Sequence, residues 1–326
     1  MIKRILYTLL IMFPVLASAQ INTDRVMAIG RNALYFEDYV LSIQYFNQVI
    51  NAKPYLSDPY FYRGLAKINL DDFQGAESDC SEAIERNPFV VSAYQVRGLA
   101  RIQQNNFAGA IEDYTKALEF DPENIGVWHN MALCRIRQED YKGAKNDLDK
   151  LIAISPRYTK AYLMRGEVDL KQKDTLAAEK DFGKAIEIDR YDADTWASRA
   201  ILRLQQQRYK DAEADFDHAI RLSTRNSGVY INRALARYHQ NNLRGAMSDY
   251  DIALDIDPNN FIGHYNRGLL RAQVGDDNRA IQDFNFVIEM EPDNMMAIFN
   301  RGLLLDQTGD YRSEERRVGK ECRSRW

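Results

Sequence analysis

The sequence has 326 residues, 45% of them hydrophobic and 28% charged, so it is long enough and apolar enough to bury a sizeable core. Its net charge is −4; the first 19 residues contribute +2 and residues 312–326 contribute +3, so residues 20–311 carry −9. Such a balance argues against binding to nucleic acid or to an anionic lipid surface through charge.

The first 19 residues have the pattern of a cleavable secretory signal. Lys3 and Arg4 precede an apolar run over residues 5–16, and small residues follow at 17–19. Because a membrane-spanning helix needs ~20 residues, this run is too short, and we expect no membrane insertion after cleavage. The sequence predicts an exported protein, periplasmic or extracellular, with a membrane anchor as the alternative.

From residue 23 onward one pattern returns every 34 residues: two amphipathic helical runs, a polar turn between them, and a closing proline in most units. The period predicts eight full repeats and part of a ninth. Their ranges are 23–56, 57–90, 91–124, 125–158, 159–192, 193–226, 227–260, 261–294 and 295–311. Since each repeat packs mainly on its neighbours, we expect one solenoid over residues 20–311.

Small and large residues recur where the two helices of a repeat must meet. Counted from the first residue of each repeat, position 8 is Gly or Ala, position 20 is Ala or Ser, and position 24 is mostly large; in repeat 3 they are Gly98, Ala110 and Tyr114. This spacing is what close helix packing requires. Cys80 and Cys134 occupy positions that are apolar elsewhere, so we expect buried thiols rather than a disulfide.

These positions, with an aromatic residue at position 4 and proline at position 32, resemble the tetratricopeptide repeat. The resemblance extends from residue 23 to about residue 311. It implies an all-α fold, a right-handed α-solenoid of antiparallel helix pairs whose first helices line a concave groove. It also implies a scaffold for protein interaction.

The sequence departs from that family at position 7, where Arg stands in seven repeats in place of the usual leucine, and position 23 is Asp in seven repeats. The recurrence predicts a bidentate Arg–Asp pair within each hairpin. The pairs in repeats 6 to 8 are Arg199 with Asp215, Arg233 with Asp249, and Arg267 with Asp283. A pair with the neighbouring repeat, or two independent solvated charges, are the alternatives. Repeat 4 has Met131 in place of the Arg.

No pattern of catalytic or metal-binding residues accompanies the repeats. The four histidines fall at four different repeat positions, and no CxxC, HExxH or Gly-rich phosphate loop is present. The carboxylates recur once per repeat, as structural residues do. We therefore expect no enzyme activity, no metal site and no cofactor.

The family resemblance places positions 5 and 6 of each first helix on the concave groove. The candidate partner-binding residues at these positions are Asn130, Asn232, Tyr265, Asn266, Phe299 and Asn300. The last three asparagines, one repeat apart, are similar to the asparagine ladder with which some proteins of this family hold a peptide backbone. An amide suits this task because it has both a donor and an acceptor. The alternative interpretation is a polar residue tolerated on an exposed helix.

Residues 312–326 lack the small and aromatic positions of the repeat, and we interpret them as a tail foreign to it, in which case the natural protein continues. The sequence as a whole predicts an exported scaffold that binds an extended peptide or a partner protein in the groove. A structural or assembly component of an envelope complex is one alternative, and a targeting module of a larger protein is another.

Overall fold

The computed structural model describes residues 22–223 and 225–309, and every regular element in these ranges is an α-helix. The signal segment and residues 312–326 lie outside the described residues. The helices are α1 Thr23–Tyr35, α2 Tyr39–Ala52, α3 Asp58–Ile68, α4 Phe73–Arg86, α5 Val91–Gln103, α6 Phe107–Phe120, α7 Ile125–Arg137, α8 Tyr141–Ile154, α9 Thr159–Lys171, α10 Thr175–Ile188, α11 Ala193–Gln205, α12 Tyr209–Leu222, α13 Ser227–His239, α14 Leu243–Ile256, α15 Phe261–Gln273, α16 Asp277–Met290 and α17 Met295–Thr308.

The chain divides into two lobes, Met1–Gln172 and Lys173–Trp326, with the boundary between α9 and α10. Within the first lobe each helix from α1 to α9 packs on the next, and the first helices of successive repeats also touch. Within the second lobe the helices from α10 to α17 follow the same order. Tandem antiparallel helix pairs thus confirm the all-α expectation for the described residues.

A left-handed residue at position 15 ends the first helix of each repeat. These residues have φ between 59° and 81° and are Glu37, Asp71, Asn105, Glu139, Lys173, Gln207, Asn241, Gly275 and Gly309. The next residue commonly caps the second helix; the Oδ1 of Asp72, for example, accepts a hydrogen bond of 2.9 Å from the backbone N–H of Gly75. The αL residue and the cap together fix a tight turn between the two helices.

The contact between small and large positions is close. A Cβ atom added at Gly98 would lie 2.8 Å from the ring of Tyr114, and one at Gly64 would lie 2.9 Å from the Sγ of Cys80. Cys80 and Cys134 are buried free thiols, and burial raises the pKa of Cys80 to about 12 and that of Cys134 to about 11. Both thiols therefore act as small apolar groups in the core.

Candidate partner-binding surface

The candidate residues of the second lobe lie on α13, α15 and α17, the first helices of repeats 7 to 9. Two asparagines fix where α15 and α17 begin: the Oδ1 of Asn260 accepts from the backbone N–H of Gly263, and the Oδ1 of Asn294 accepts from that of Ala297, each at 3.0 Å. Asn226, which precedes α13, makes no such side-chain capping bond. The starts of α15 and α17 are therefore the better anchored ones.

The three asparagines occupy position 6 on successive first helices, and all three are half-buried. Within the described part of the chain, Asn232 and Asn266 make no side-chain hydrogen bond. The Nδ2 of Asn300 donates to the hydroxyl of Tyr265 at 3.2 Å. Two of the amides thus keep their full capacity to donate and accept, while Asn300 keeps its carbonyl oxygen and one N–H.

A pocket of about 210 Å³ opens between the starts of α15 and α17. It is lined by Phe261, Ile262, Tyr265, Asn294 and Met296. Tyr265 belongs to the pocket wall and to the amide row at once. The sequence analysis missed this pocket, although position 2 carried a signal: it is charged, Ser or Gly in repeats 1 to 7 and becomes Ile262 and Met296 in repeats 8 and 9.

Large apolar side chains on α15 and α17 are open to solvent. Phe299 is 66% exposed and Met296 is 62% exposed. Met295, Ile262 and Leu303 are exposed as well. Several exposed apolar side chains on two neighbouring helices, with amides on the same helices, are typical of a site that another molecule covers.

The Arg and Asp residues that recur in repeats 6 to 8 meet inside their own hairpins. Each Arg donates two hydrogen bonds to the Asp carboxylate, with lengths of 2.8 and 2.8 Å from Arg199 to Asp215, 2.9 and 2.6 Å from Arg233 to Asp249, and 3.1 and 2.8 Å from Arg267 to Asp283. The carboxylates are buried and the guanidinium groups are partly exposed. Bidentate geometry requires the planar fork of Arg, which explains why Lys does not replace it at this position.

A second cation, at position 11, approaches each of these carboxylates. Arg203, Arg237 and Arg271 lie 2.7, 2.8 and 2.7 Å from the Asp of their own repeat. The sequence analysis did not identify these residues, although the recurrence of Arg or Lys at position 11 in six repeats is visible in the sequence. Each buried Asp in repeats 6 to 8 is therefore held by two cations.

The same arginines also join successive repeats. Arg233 lies 2.7 Å from Asp217 of the preceding repeat, and Arg237 lies 2.7 Å from Glu213 of that repeat. The neighbouring-repeat contact of Arg233 is therefore to the partly buried Asp217 at position 25, while its bidentate partner is Asp249 in its own hairpin. These bonds tie α13 to α12 as well as to α14.

Repeat 4 is the exception, because Met131 replaces the first cation. Asp147 is 5% exposed, and the closest cationic group is the Nε of Arg135 at 2.7 Å. Burial outweighs the attraction of Arg135 and raises the pKa of Asp147 to about 6.

Asn130 also lies in repeat 4, on α7 of the first lobe, and is half-buried. Its neighbour in sequence, His129, has its Nδ1 3.3 Å from the hydroxyl of Tyr158. Burial and the charge of Lys160 lower the pKa of His129. The other five candidate residues lie in the second lobe.

No group of three or more His, Cys, Asp or Glu side chains in residues 22–223 and 225–309 is placed to hold a metal ion. Across the same ranges, no helix has the length and apolar character needed to span a membrane.

The fold and the exposed first-helix surface define a scaffold for protein–protein interaction built from tandem helix hairpins. Comparison with known proteins assigns the hairpins to a repeat family. A model of the TPR repeat matches residues 98–134, and models of the tetratricopeptide repeat match residues 125–158, 159–192 and 198–261. The chain thus contains tetratricopeptide repeats, and two of the matches have the bounds of repeats 4 and 5.

Solved structures share this fold at low sequence identity. A tetratricopeptide repeat protein from Parabacteroides merdae is 21% identical with a TM-score of 0.58, and the match covers 76% of this chain and 98% of that one. The Cut9–Hcn1 hetero-tetramer of the APC/C matches at 14% identity and a TM-score of 0.58, covering 82% of this chain and 52% of that one. PilF of Pseudomonas aeruginosa matches at 19% identity and a TM-score of 0.56, and the match covers 67% of this chain and 97% of that one. No curated protein matches the sequence.

Proposed function

We propose that this chain is an exported, non-enzymatic scaffold that binds an extended segment of a partner protein along the first helices of repeats 7 to 9. The observation that carries the proposal is the row of amides at Asn232, Asn266 and Asn300. Two of the three have no hydrogen-bond partner among the described residues, and they lie one repeat apart on successive first helices. Exposed apolar residues accompany them, which supports a site for a polypeptide.

The chemistry of the amides favours an extended ligand. Each side-chain amide matches one peptide unit, because it offers one acceptor and one or two donors. A helical ligand has already used its backbone N–H and C=O groups internally, whereas an extended segment presents them to the scaffold. The proposed site therefore recognises an extended backbone and tolerates variation in the side chains of the ligand.

The test is a titration of a peptide selected from a random peptide display library on the full chain. Each lost amide contact should cost about 0.5–1.5 kcal/mol, so replacing Asn232, Asn266 and Asn300 with Ala should weaken binding by roughly tenfold to a thousandfold. The matched control replaces Asn146 and Asn278, two exposed asparagines on second helices, with Ala. Equal affinities for wild type and the triple variant would exclude the amide row as the site.

Export rests on the pattern of residues 1–19 and has its own test. Amino-terminal sequencing of the protein recovered from cells should find a chain that begins after residue 19, in the periplasmic or extracellular fraction. Recovery of the intact chain from the cytosol would contradict export and leave the binding proposal in place.

A second function, assembly through repeat 1, is favoured by the exposure of Tyr35 and Phe36 at the turn after α1. Phe36 is 76% exposed and stands at position 14, where Gln104 and Gln240 donate hydrogen bonds to the preceding repeat. An aromatic residue at that position suits contact with another protein surface. Sedimentation of wild type and Phe36→Gln tests this, since self-association that survives the substitution would argue against it.

A further inference from the structure

We infer that the pocket between α15 and α17 takes one large apolar side chain of the bound segment, and that basic residues flank that side chain. This inference rests on the proposed function and adds the chemistry of the partner to it. The amide row recognises a backbone of any sequence, so selectivity requires a second element.

The apolar lining of the pocket exceeds what the repeat needs for folding. Position 2 is Ile262 in repeat 8 and Met296 in repeat 9, whereas it is Ser92 in repeat 3 and Gly126 in repeat 4. Those repeats form the same helix pairs with a small residue there. Apolar residues at the start of α15 and α17 therefore have no role that the fold explains, and burying them against a ligand side chain stabilises a complex.

The size of the pocket limits its occupant. Its volume of about 210 Å³ is below the roughly 300 Å³ at which pockets for drug-sized molecules begin. An aliphatic or aromatic side chain suits this space, and Met296 can adjust to it because its side chain is unbranched and flexible. A whole helix does not fit such a pocket.

The segments that contribute the pocket lining are acidic in sequence. Residues 254–266 and 287–300, which include its lining, contain five carboxylates and neither Lys nor Arg; the carboxylates are Asp255, Asp257, Glu289, Glu291 and Asp293. The Nδ2 of Asn294, a lining residue, donates to the Oε2 of Glu291 at 2.9 Å, so one of these carboxylates is bonded to the pocket lining. A segment with Lys or Arg beside its apolar residue matches this potential.

Tyr265 joins the pocket to the amide row. Its ring lines the pocket, and its hydroxyl accepts the hydrogen bond from Asn300. A backbone lying on Asn266 and Asn300 would therefore pass beside the pocket mouth, where one of its side chains can enter. The two elements form one site, with the amides binding the chain and the pocket selecting the residue.

The experiment compares peptides selected from a random display library on the wild-type full chain with those selected on two variants. The first variant carries Ile262→Ser and Met296→Ser, which restore at position 2 the residue type of Ser92 and introduce no charge. The second carries the three Asn→Ala changes of the amide row. Synthetic copies of the selected peptides, and copies with Ala for the apolar residue or Glu for its basic neighbours, are then titrated.

Wild type should select peptides with Leu, Met or Phe next to Lys or Arg. The pocket variant should bind them roughly 10- to 100-fold more weakly, as expected for one apolar side chain, while the Ala copy should bind wild type and the pocket variant alike. Glu copies should bind wild type more weakly than the Lys or Arg originals. Unchanged circular dichroism and melting temperature would show that the variant folds.

Two outcomes overturn the inference, and they are distinguishable from failure of the proposed function. If the selected peptides depend on the amide row but show no preference for apolar or basic residues, the inference about the pocket is wrong and the proposed function stands. The same holds if the pocket variant binds the peptides as tightly as wild type. A selection that yields no peptide dependent on the amide row would remove the proposed function and the pocket with it.

Discussion

Asp147 shows what the paired cations do for the buried carboxylates of the other repeats. In repeat 7, Asp249 accepts from Arg233 and Arg237, whereas Asp147 has Arg135 as its one cation among the described residues, because Met131 stands at position 7. A buried carboxylate with too little positive charge near it is costly to ionise, and its pKa rises to about 6. Repeat 4, which lacks the Arg at position 7, thus contains a buried carboxyl group with a raised pKa.

Replacing Asp147 with Asn should stabilise the protein at neutral pH. The folded-state pKa, about 6, is above the unfolded value of about 3.9, so the folded protein binds more protons between these values and loses stability as pH rises through them. The Asn variant does not lose this stability. Its free energy of unfolding should exceed that of wild type by an amount that grows from near zero at pH 4 to about 1–3 kcal/mol above pH 7. Urea denaturation across this pH range measures it.

The matched control for Asp147→Asn is Asp249→Asn in repeat 7. That change leaves Arg233 and Arg237 without their shared buried carboxylate, so it should destabilise the protein at pH 7 by up to roughly 3–5 kcal/mol. The two substitutions therefore have opposite expected signs. Destabilisation by both at pH 7 would refute the account of Asp147.

Gly183 lacks a contact that other repeats have. It stands at position 25, where Asp217 and Asp251 pair with the Arg of the following repeat, and a Cβ atom built there would lie 3.9 Å from the Nη1 of Arg199. Gly183→Asp should therefore add a partly exposed ion pair worth roughly 0.3–1 kcal/mol. Gly183→Asn has similar size and helix propensity and serves as control. Thermal denaturation should show Asp more stable than Asn at low salt, with the difference shrinking at 1 M salt; a difference independent of salt would argue against the pair.

At the scale of the helix pair, substitutions of the left-handed residue at position 15 measure the backbone strain in the turn. Gly275 adopts φ of 81° with nothing within 4 Å of an added Cβ, whereas Glu139 adopts φ of 61° with a side chain present. Gly275→Ala should thus destabilise by about 1–2 kcal/mol through backbone strain alone. Glu139→Gly should stabilise by up to about 1 kcal/mol for the same reason.

Chemical denaturation of the two single variants measures both effects. No described group lies within 4 Å of the Cβ atom that Gly275→Ala adds, so packing does not confound the effect of that substitution. If both substitutions change the free energy of unfolding in the same direction, the left-handed backbone conformation does not determine the stability of the turn.

The sequence predicts the helix pairs well because their determinants are local and repeat. Gly98 opposite Tyr114 and the closing prolines recur with one period, so the repeat that contains α5 and α6 follows from pattern alone. The pairing of Arg199 with Asp215 follows from matched recurrence. The role of Arg203 was equally visible as recurrence, but which carboxylate it approaches depends on side-chain geometry.

Other features of the candidate site do not follow from a sequence pattern. The bond between Asn300 and Tyr265 depends on the direction in which two side chains point, and the pocket depends on how far apart α15 and α17 begin. The raised pKa of Asp147 requires its burial as well as the absence of an Arg. Periodicity gives the positions of these residues, and contacts between repeats give their chemistry.

At the scale of the whole molecule, the proposed binding function and the stability of the fold depend on different positions of the same helix. On α13, position 6 is the amide of Asn232, while the adjacent Arg233 at position 7 is bonded into the ionic network with Asp249 and Asp217. Ligand contacts can therefore vary from repeat to repeat without disturbing the packing. We expect substitutions in the amide row to change affinity with little effect on melting temperature. Substitutions in the Arg–Asp pairs should lower the melting temperature with little effect on affinity.

The most direct measurement of the central claim, that amides of the scaffold hold a backbone, is titration of a selected peptide and its backbone N-methylated copy. Methylation removes the peptide's N–H donors and leaves its side chains unchanged. If Asn232, Asn266 and Asn300 bind the backbone, methylation should weaken binding to wild type at least about tenfold, with a much smaller effect on the triple Ala variant. Equal losses on wild type and the variant, or no loss on either, would contradict the account.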